Sequence, residues 1–210
     1  MKKGIISLIL AAILVITAIF AVSCGAGYTN EEIREALGEL IPASAELNEI
    51  YFGEGLPLSV NEDEYEGYYA MLESDVSTLG YEPVSEDAKY RTEEELREAT
   101  LAVFTEEYAR FLFERAFSGV SAVYDDETTA NAVYARYIET DGVLTKRVGA
   151  KNEAIPLGRE YRVDDAEIVR EHENWLFVDV PSMIGGKDDV VVRLRLVQTA
   201  GGWRLDSPTY

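Results

Sequence analysis

Trp175-Leu176-Phe177-Val178-Asp179-Val180 and Val190-Val191-Val192-Arg193-Leu194-Arg195-Leu196-Val197-Gln198 are the two segments whose reading decides the fold. Leucine and valine recur at every second position, with Asp179, Arg193 and Arg195 between them. That is the period of a strand with one face in a core and the other in water. The same alternation runs outward in both directions. Upstream, a strand near 166–170 meets Trp175 across His172-Glu173-Asn174, and strands at 133–138 and 143–148 flank Asp141-Gly142, the strongest short hairpin signal in the chain. Downstream, Gly201-Gly202 turns the chain into Trp203-Arg204-Leu205-Asp206. From about residue 132 onward the sequence predicts an antiparallel meander.

Before that point the period is helical. Thr29 and Glu32 form a capping box, and Ile33, Leu37, Leu40, Ser44, Leu47 and Tyr51 then recur three or four apart on one face. Pro42 falls within this stripe and is expected to divide or kink the helix, because it lacks an amide hydrogen. Tyr81 to Val84 reads as a short strand. Thr92 with Glu95 opens a second helix faced by Leu96, Ala99 and Val103, and Thr105 opens a third containing Tyr108, Phe111 and Leu112 before Gly119. Helices followed by a meander predict an α+β fold, with the N-terminal helices packed on a curved C-terminal antiparallel sheet, in a single domain over residues 29–210.

The first residues read as an export signal. Lys2 and Lys3 precede an uncharged run from Ile5 to Val22, and Ala21-Val22-Ser23-Cys24 resembles the lipobox of bacterial lipoproteins, with Ala21 where leucine is usual. Residues 1–23 are then a signal peptide, Cys24 carries acyl chains such as palmitate, and residues 24–28 are a short spacer. The alternative is an uncleaved anchor helix, since the run is close to the length that spans a bilayer. Both readings place the domain outside the cell membrane, because the lysines stay cytoplasmic.

The chain carries 39 acidic and 19 basic residues, a formal charge of -20. Such a surface is repelled by phosphate backbones, so nucleic acid is excluded as a partner, and basic partners are steered toward it. One histidine and one cysteine leave little for catalysis or metal binding, and the expectation is a monomeric binding protein without catalytic residues, metal or cofactor. His172 lies in a turn between Glu171 and Glu173 with no nucleophile near it in sequence. Asp125-Asp126-Glu127, Asp164-Asp165 and Asp188-Asp189 offer paired carboxylates for an acid-pair glycosidase, but turns favour aspartate for backbone reasons. In Asn61 to Gly67 the calcium-loop template fails at Tyr65 and Glu66. Tyr65, Tyr68 and Tyr69 read as packing residues more readily than as a sugar platform.

Pro181 to Asp189 is different in kind: a segment longer than a minimal hairpin loop, joining two strong strand signals. Met183, Ile184, Gly185 and Gly186 form an exposed insert and Asp188 and Asp189 supply steering charge, which makes this loop the candidate partner-binding site.

Leu47-Asn48-Glu49-Ile50-Tyr51-Phe52-Gly53-Glu54-Gly55-Leu56-Pro57, Tyr81 with Tyr90-Arg91-Thr92 before Phe104-Thr105-Glu106-Glu107-Tyr108, and the ending Gly202-Trp203-Arg204-Leu205-Asp206-Ser207-Pro208-Thr209-Tyr210 resemble the bacterial DL-endopeptidase-inhibitor (IseA-like) family. The resemblance implies a non-catalytic protein that binds the catalytic domain of NlpC/P60-type peptidoglycan hydrolases and blocks stem-peptide cleavage through an acidic loop. The lipid anchor departs from the freely secreted form of that family and would confine inhibition to hydrolases near the membrane. The alternative is a small-ligand or envelope-stress lipoprotein with a domain like the nuclear-transport-factor-2 superfold, whose pocket between helices and sheet would be lined by Phe111, Trp175 and Leu194.

Overall fold

A computed structural model describes residues 27–60, 80–118, 120–123, 130–133, 135–148 and 158–210. Its architecture is α+β with a curved antiparallel sheet, the class that the change of period predicts. Helix α1 spans Asn30–Phe52, and its N-terminus closes with the expected capping box: the Thr29 side chain accepts from the Glu32 N–H, and Glu32 accepts from the Thr29 N–H at 2.9 Å. Every member of the stripe from Ile33 to Tyr51 is buried. Of the two expected effects of Pro42, division of the helix does not occur: α1 runs through it as one element. The carbonyl it leaves without a donor belongs to Gly38, and both residues lie on the exposed face, where the group is open to solvent. Burial of the stripe on both sides of Pro42 outweighs the lost bond.

Strand β1 (Tyr81–Pro83) leads to α2 (Glu93–Val103), capped by Thr92 with Glu95. Leu96, Thr100 and Val103 are its buried residues, whereas Ala99 is only half-buried. Thr105 caps α3 (Glu106–Phe113), which continues into a π-helical turn over Glu114–Ser118. Leu112 is fully buried there, and Phe111 is exposed on the outer side. Gly119, the expected stop, lies outside the described residues.

The remaining strands are β2 (Val120–Val123), β3 (Ala130–Val133), β4 (Tyr137–Thr140), β5 (Val143–Arg147), β6 (Arg159–Tyr161), β7 (Glu167–Glu171), β8 (Trp175–Ile184), β9 (Lys187–Thr199) and β10 (Gly202–Leu205). The hairpin turn at Asp141-Gly142 is as read, with both φ angles positive. The first of its strands is shorter than expected: Val133 belongs to β3, which pairs with β2, and Ala135 and Arg136 separate it from β4. Thus β1, β5 and β4 form one small sheet, and β10-β9-β8 form the large one. On the far edge of β8, β7 pairs with the first half and β6 with the end, so two short strands share one edge. Register shifts at Ile168/Arg170 and Pro181/Met183 add the local bends of β-bulges. On the opposite edge, Phe104 bridges Leu205 in parallel, and the Thr105 N–H donates to the Leu205 carbonyl at 2.9 Å.

Leu176, Val178 and Val180 of β8 and Leu194 and Leu196 of β9 face α1, α2 and α3 in one core with Ile33, Leu37, Leu96, Phe104, Leu112 and Leu205. Each such side chain contributes about 1.5–3 kcal/mol by leaving water. A buried polar chain fastens the last residues to α1: Asn48 Nδ2 donates to Thr209 Oγ1, which donates to Ser44 Oγ, which donates to the Ile41 carbonyl. Residues 1–26, including the signal segment and Cys24, and residues 61–79 with the three tyrosines, lie outside the described residues. No described helix is long and apolar enough to cross a membrane.

Candidate functional site

The segment read as a loop over Pro181 to Asp189 is instead the end of a hairpin. Strand β8 runs on through Pro181 to Ile184, β9 starts at Lys187, and Gly185-Gly186 alone makes the turn. Their φ values of 58° and 73° belong to the two-residue turn that requires a left-handed conformation at both positions, which glycine adopts without steric cost. Pro181 reads as a strand breaker, yet it sits at the bulge, where a missing N–H interrupts no regular ladder. Strand β6 supports the same stretch from the side, pairing Arg159 with Ile184 and Tyr161 with Ser182.

The tip is exposed, and apolar side chains stand there beside Lys187, Asp188 and Asp189. Ile184 is 41% exposed, Val190 55% and Val191 61%, and Met183 is half-buried beside them. Val190 and Val191 were missed as site residues, although the signal was present: three consecutive valines cannot all face the core of an alternating strand.

The two aspartates differ most from expectation. Asp189 pairs with Arg159 at 2.6 Å, and the same guanidinium donates to Ser182 Oγ at 2.7 Å while Ser182 donates to the Val190 carbonyl at 2.6 Å. The Arg159 hydrogen bond, aided by the Val190 N–H, holds the Asp189 carboxyl below the usual carboxylate range. Asp188 lies 3.3 Å from Arg162, which also reaches Asp165 at 3.7 Å. Both acids of the tip are therefore matched by arginines from the β6 side, and they brace the hairpin instead of projecting uncompensated charge. Arg159 and Arg162 were invisible to sequence reasoning because the tip aspartates they meet, Asp189 and Asp188, are more than 20 residues away.

The other chemical candidates fall apart in space. His172 stacks on the Trp175 ring, with centroids 5.1 Å apart and planes within 2°, on the exposed side of the β7–β8 turn. Asp164 and Asp165 sit on a short 3-10 turn, with Asp165 turned toward Arg162. No group of three or more His, Cys, Asp or Glu able to hold a metal ion occurs among the described residues. Asn61 to Gly67 and Asp125 to Glu127 lie outside them. Phe111, Trp175 and Leu194 do not line one pocket. Leu194 is sealed in the core, Trp175 is on the opposite face of the sheet, and Phe111 points to solvent from α3.

A groove of about 980 Å³ does open between α2, α3 and the outer face of β9, with Leu101, Phe113 and Val197 among its apolar residues. Three of its charged residues, Arg97, Arg195 and Asp206, are bonded within the protein. Arg195 and Thr105 both bond Asp206, and Arg97 is paired with Glu93 and packed over Phe113 and Phe117 at 4.3 and 4.6 Å. The hairpin tip, in contrast, leaves its apolar surface uncovered. Comparison of the chain with protein-family models, with curated protein sequences and with solved structures finds no match.

Proposed function

We propose that this chain is a membrane-anchored extracytoplasmic lipoprotein that binds, without chemistry of its own, the catalytic domain of a cell-wall DL-endopeptidase and keeps substrate out of its groove. The observation that carries the reading is the β8–β9 tip, where Ile184, Val190 and Val191 stand in water on a hairpin braced from the side by β6. A recognition surface of this kind gains its energy from a small apolar cluster entering a partner's cleft, and the rigid arm lowers the ordering cost of binding. The choice of a peptidase as partner comes from the resemblance of residues 47–57 and 202–210 to the inhibitor family. The membrane location comes from the pattern of residues 2–24.

Given the ion pairs at the tip, the acids act less as decoys for stem-peptide carboxylates than as supports for the apolar contact. The test is to add the mature protein to an NlpC/P60-type DL-endopeptidase digesting peptidoglycan. Dose-dependent inhibition is expected, and it should weaken about tenfold or more in Val191→Asp, the loss of one central contact. Unaltered hydrolysis at saturating protein rejects the proposal.

A further inference from the structure

Tyr28 is seated at one pole of the large sheet by three hydrogen bonds and a ring contact. Its N–H donates to Glu171 Oε1 at 2.9 Å, its hydroxyl donates to Gln198 Oε1 and lies 3.1 Å from the Glu173 carbonyl oxygen, and its ring meets Trp203 edge-on at 4.7 Å. Two residues on, Asn30 Oδ1 accepts the Ile168 N–H at 3.0 Å. Gly27 lies so near Glu171 that a Cβ there would fall 2.8 Å from Oε2. The entry to α1 is thus joined to β7, to the β7–β8 turn, to β9 and to β10, all at the end where β8 begins. The Gly185-Gly186 turn lies at the other end of β8, about 30 Å away at roughly 3.3 Å per residue.

We propose that Tyr28 is an orienting clamp. It holds the pole at residues 171–174 toward the bilayer and presents the hairpin tip at the membrane-distal pole, to a protein partner standing on the order of 30 Å off the lipid. The inference rests on the reading of Cys24 as the anchor. From Cys24 to Gly27 the chain spans at most about 10 Å when fully extended, so a clamp at residue 28 leaves the domain little slack. Were residues 27–29 unattached to the sheet, the leash would be longer and the domain would tumble, offering every face to the membrane.

The test uses the full chain in membranes from the cells that make it, with a fluorophore on Lys187→Cys at the tip or on Asn174→Cys at the near pole, and an acceptor dye on lipid headgroups. Energy transfer is expected to be several-fold weaker from position 187 than from 174, and Tyr28→Ala should bring the two values together. Equal transfer from both sites in the parent chain overturns the orientation. A difference that survives in a folded Tyr28→Ala chain overturns the role of Tyr28. Tyr28→Phe, which keeps the ring contact with Trp203, is expected to give an intermediate difference should the alanine variant fail to fold. Two further readouts separate the clamp from the anchor. Rapid hydrogen exchange at the Tyr28 and Ile168 amides overturns the clamp. Slow exchange there in a chain that partitions into the aqueous phase of a detergent separation overturns the anchor, and the orientation with it.

Discussion

Arginine 136 shows how much one side chain can settle. Helix α1 has no basic residue in its last turn, where the free carbonyls concentrate partial negative charge. The cations come from the β4–β5 region: buried Arg136 donates through Nε to the Ile50 carbonyl at 3.0 Å and through Nη2 to that of Gly53, and buried Lys146 donates to the Glu54 carbonyl at 2.9 Å. The Tyr137 hydroxyl also donates to the Ile50 carbonyl, while accepting from the Leu56 N–H, both at 3.0 Å. Arg136→Met is expected to lower stability by about 2–3 kcal/mol, because it leaves buried carbonyls without charged donors; denaturant unfolding of the variant measures this. Tyr161 makes the opposite case. Its hydroxyl is buried without a partner, and desolvation pushes its pKa up to about 12. A tyrosine whose folded pKa is raised stabilises the protein below about pH 10, its unfolded value, and that contribution is lost as pH rises toward the folded value. Tyr161→Phe should therefore unfold at higher pH than the parent in an alkaline titration followed by circular dichroism, with stability at neutral pH equal or slightly higher.

At the scale of elements, capping and periodicity carried most of the legible information. Thr29, Thr92 and Thr105 each begin a helix where the sequence places it, because a side-chain oxygen bonding the backbone two or three residues ahead is a local event. Thr92→Ala is expected to cost about 1 kcal/mol in thermal unfolding. The Asp141-Gly142 turn and the buried faces of β8 and β9 were legible for the same reason. What could not be read depends on distant neighbours. Pro42 is tolerated because its face of α1 meets water, Val133 leaves its expected strand because β2 pairs with it, and Pro181 stays in β8 because a bulge accommodates it. The β8–β9 connection followed this pattern: a turn between two strands was legible there, but its shape and charge state depend on β6. Gly186→Val, which forces a β-branched residue into a left-handed conformation, should destabilise the hairpin by more than about 1 kcal/mol and broaden the amide signals of Met183 to Val191 in NMR spectra.

For the molecule as a whole, acidity and recognition separate. The chain is strongly anionic, yet Asp188 and Asp189 are compensated where they stand. On the proposed inhibition of a peptidase, Asp188→Asn is accordingly expected to change potency by less than about twofold, against the larger loss from Val191→Asp, since an exposed pair contributes little. Hydrogen bonds from arginines hold Asp179 and Asp189 below the ordinary carboxylate range, and the Thr29 N–H and hydroxyl do the same for Glu32. A depressed folded pKa stabilises the protein above the unfolded value near 4, and that support is lost as pH falls through the folded values. The melting temperature should thus fall modestly as pH drops below about 4 in calorimetry, the groups being solvent-exposed. The linker at Phe104-Thr105 matters beyond the single molecule. On the proposed lipid anchor, many copies would be confined to a plane, the crowding under which exposed sheet margins recruit one another into aggregates. With that linker seated against β10 and two short strands sharing the margin of β8, these two described margins offer a neighbouring copy no long open strand to extend.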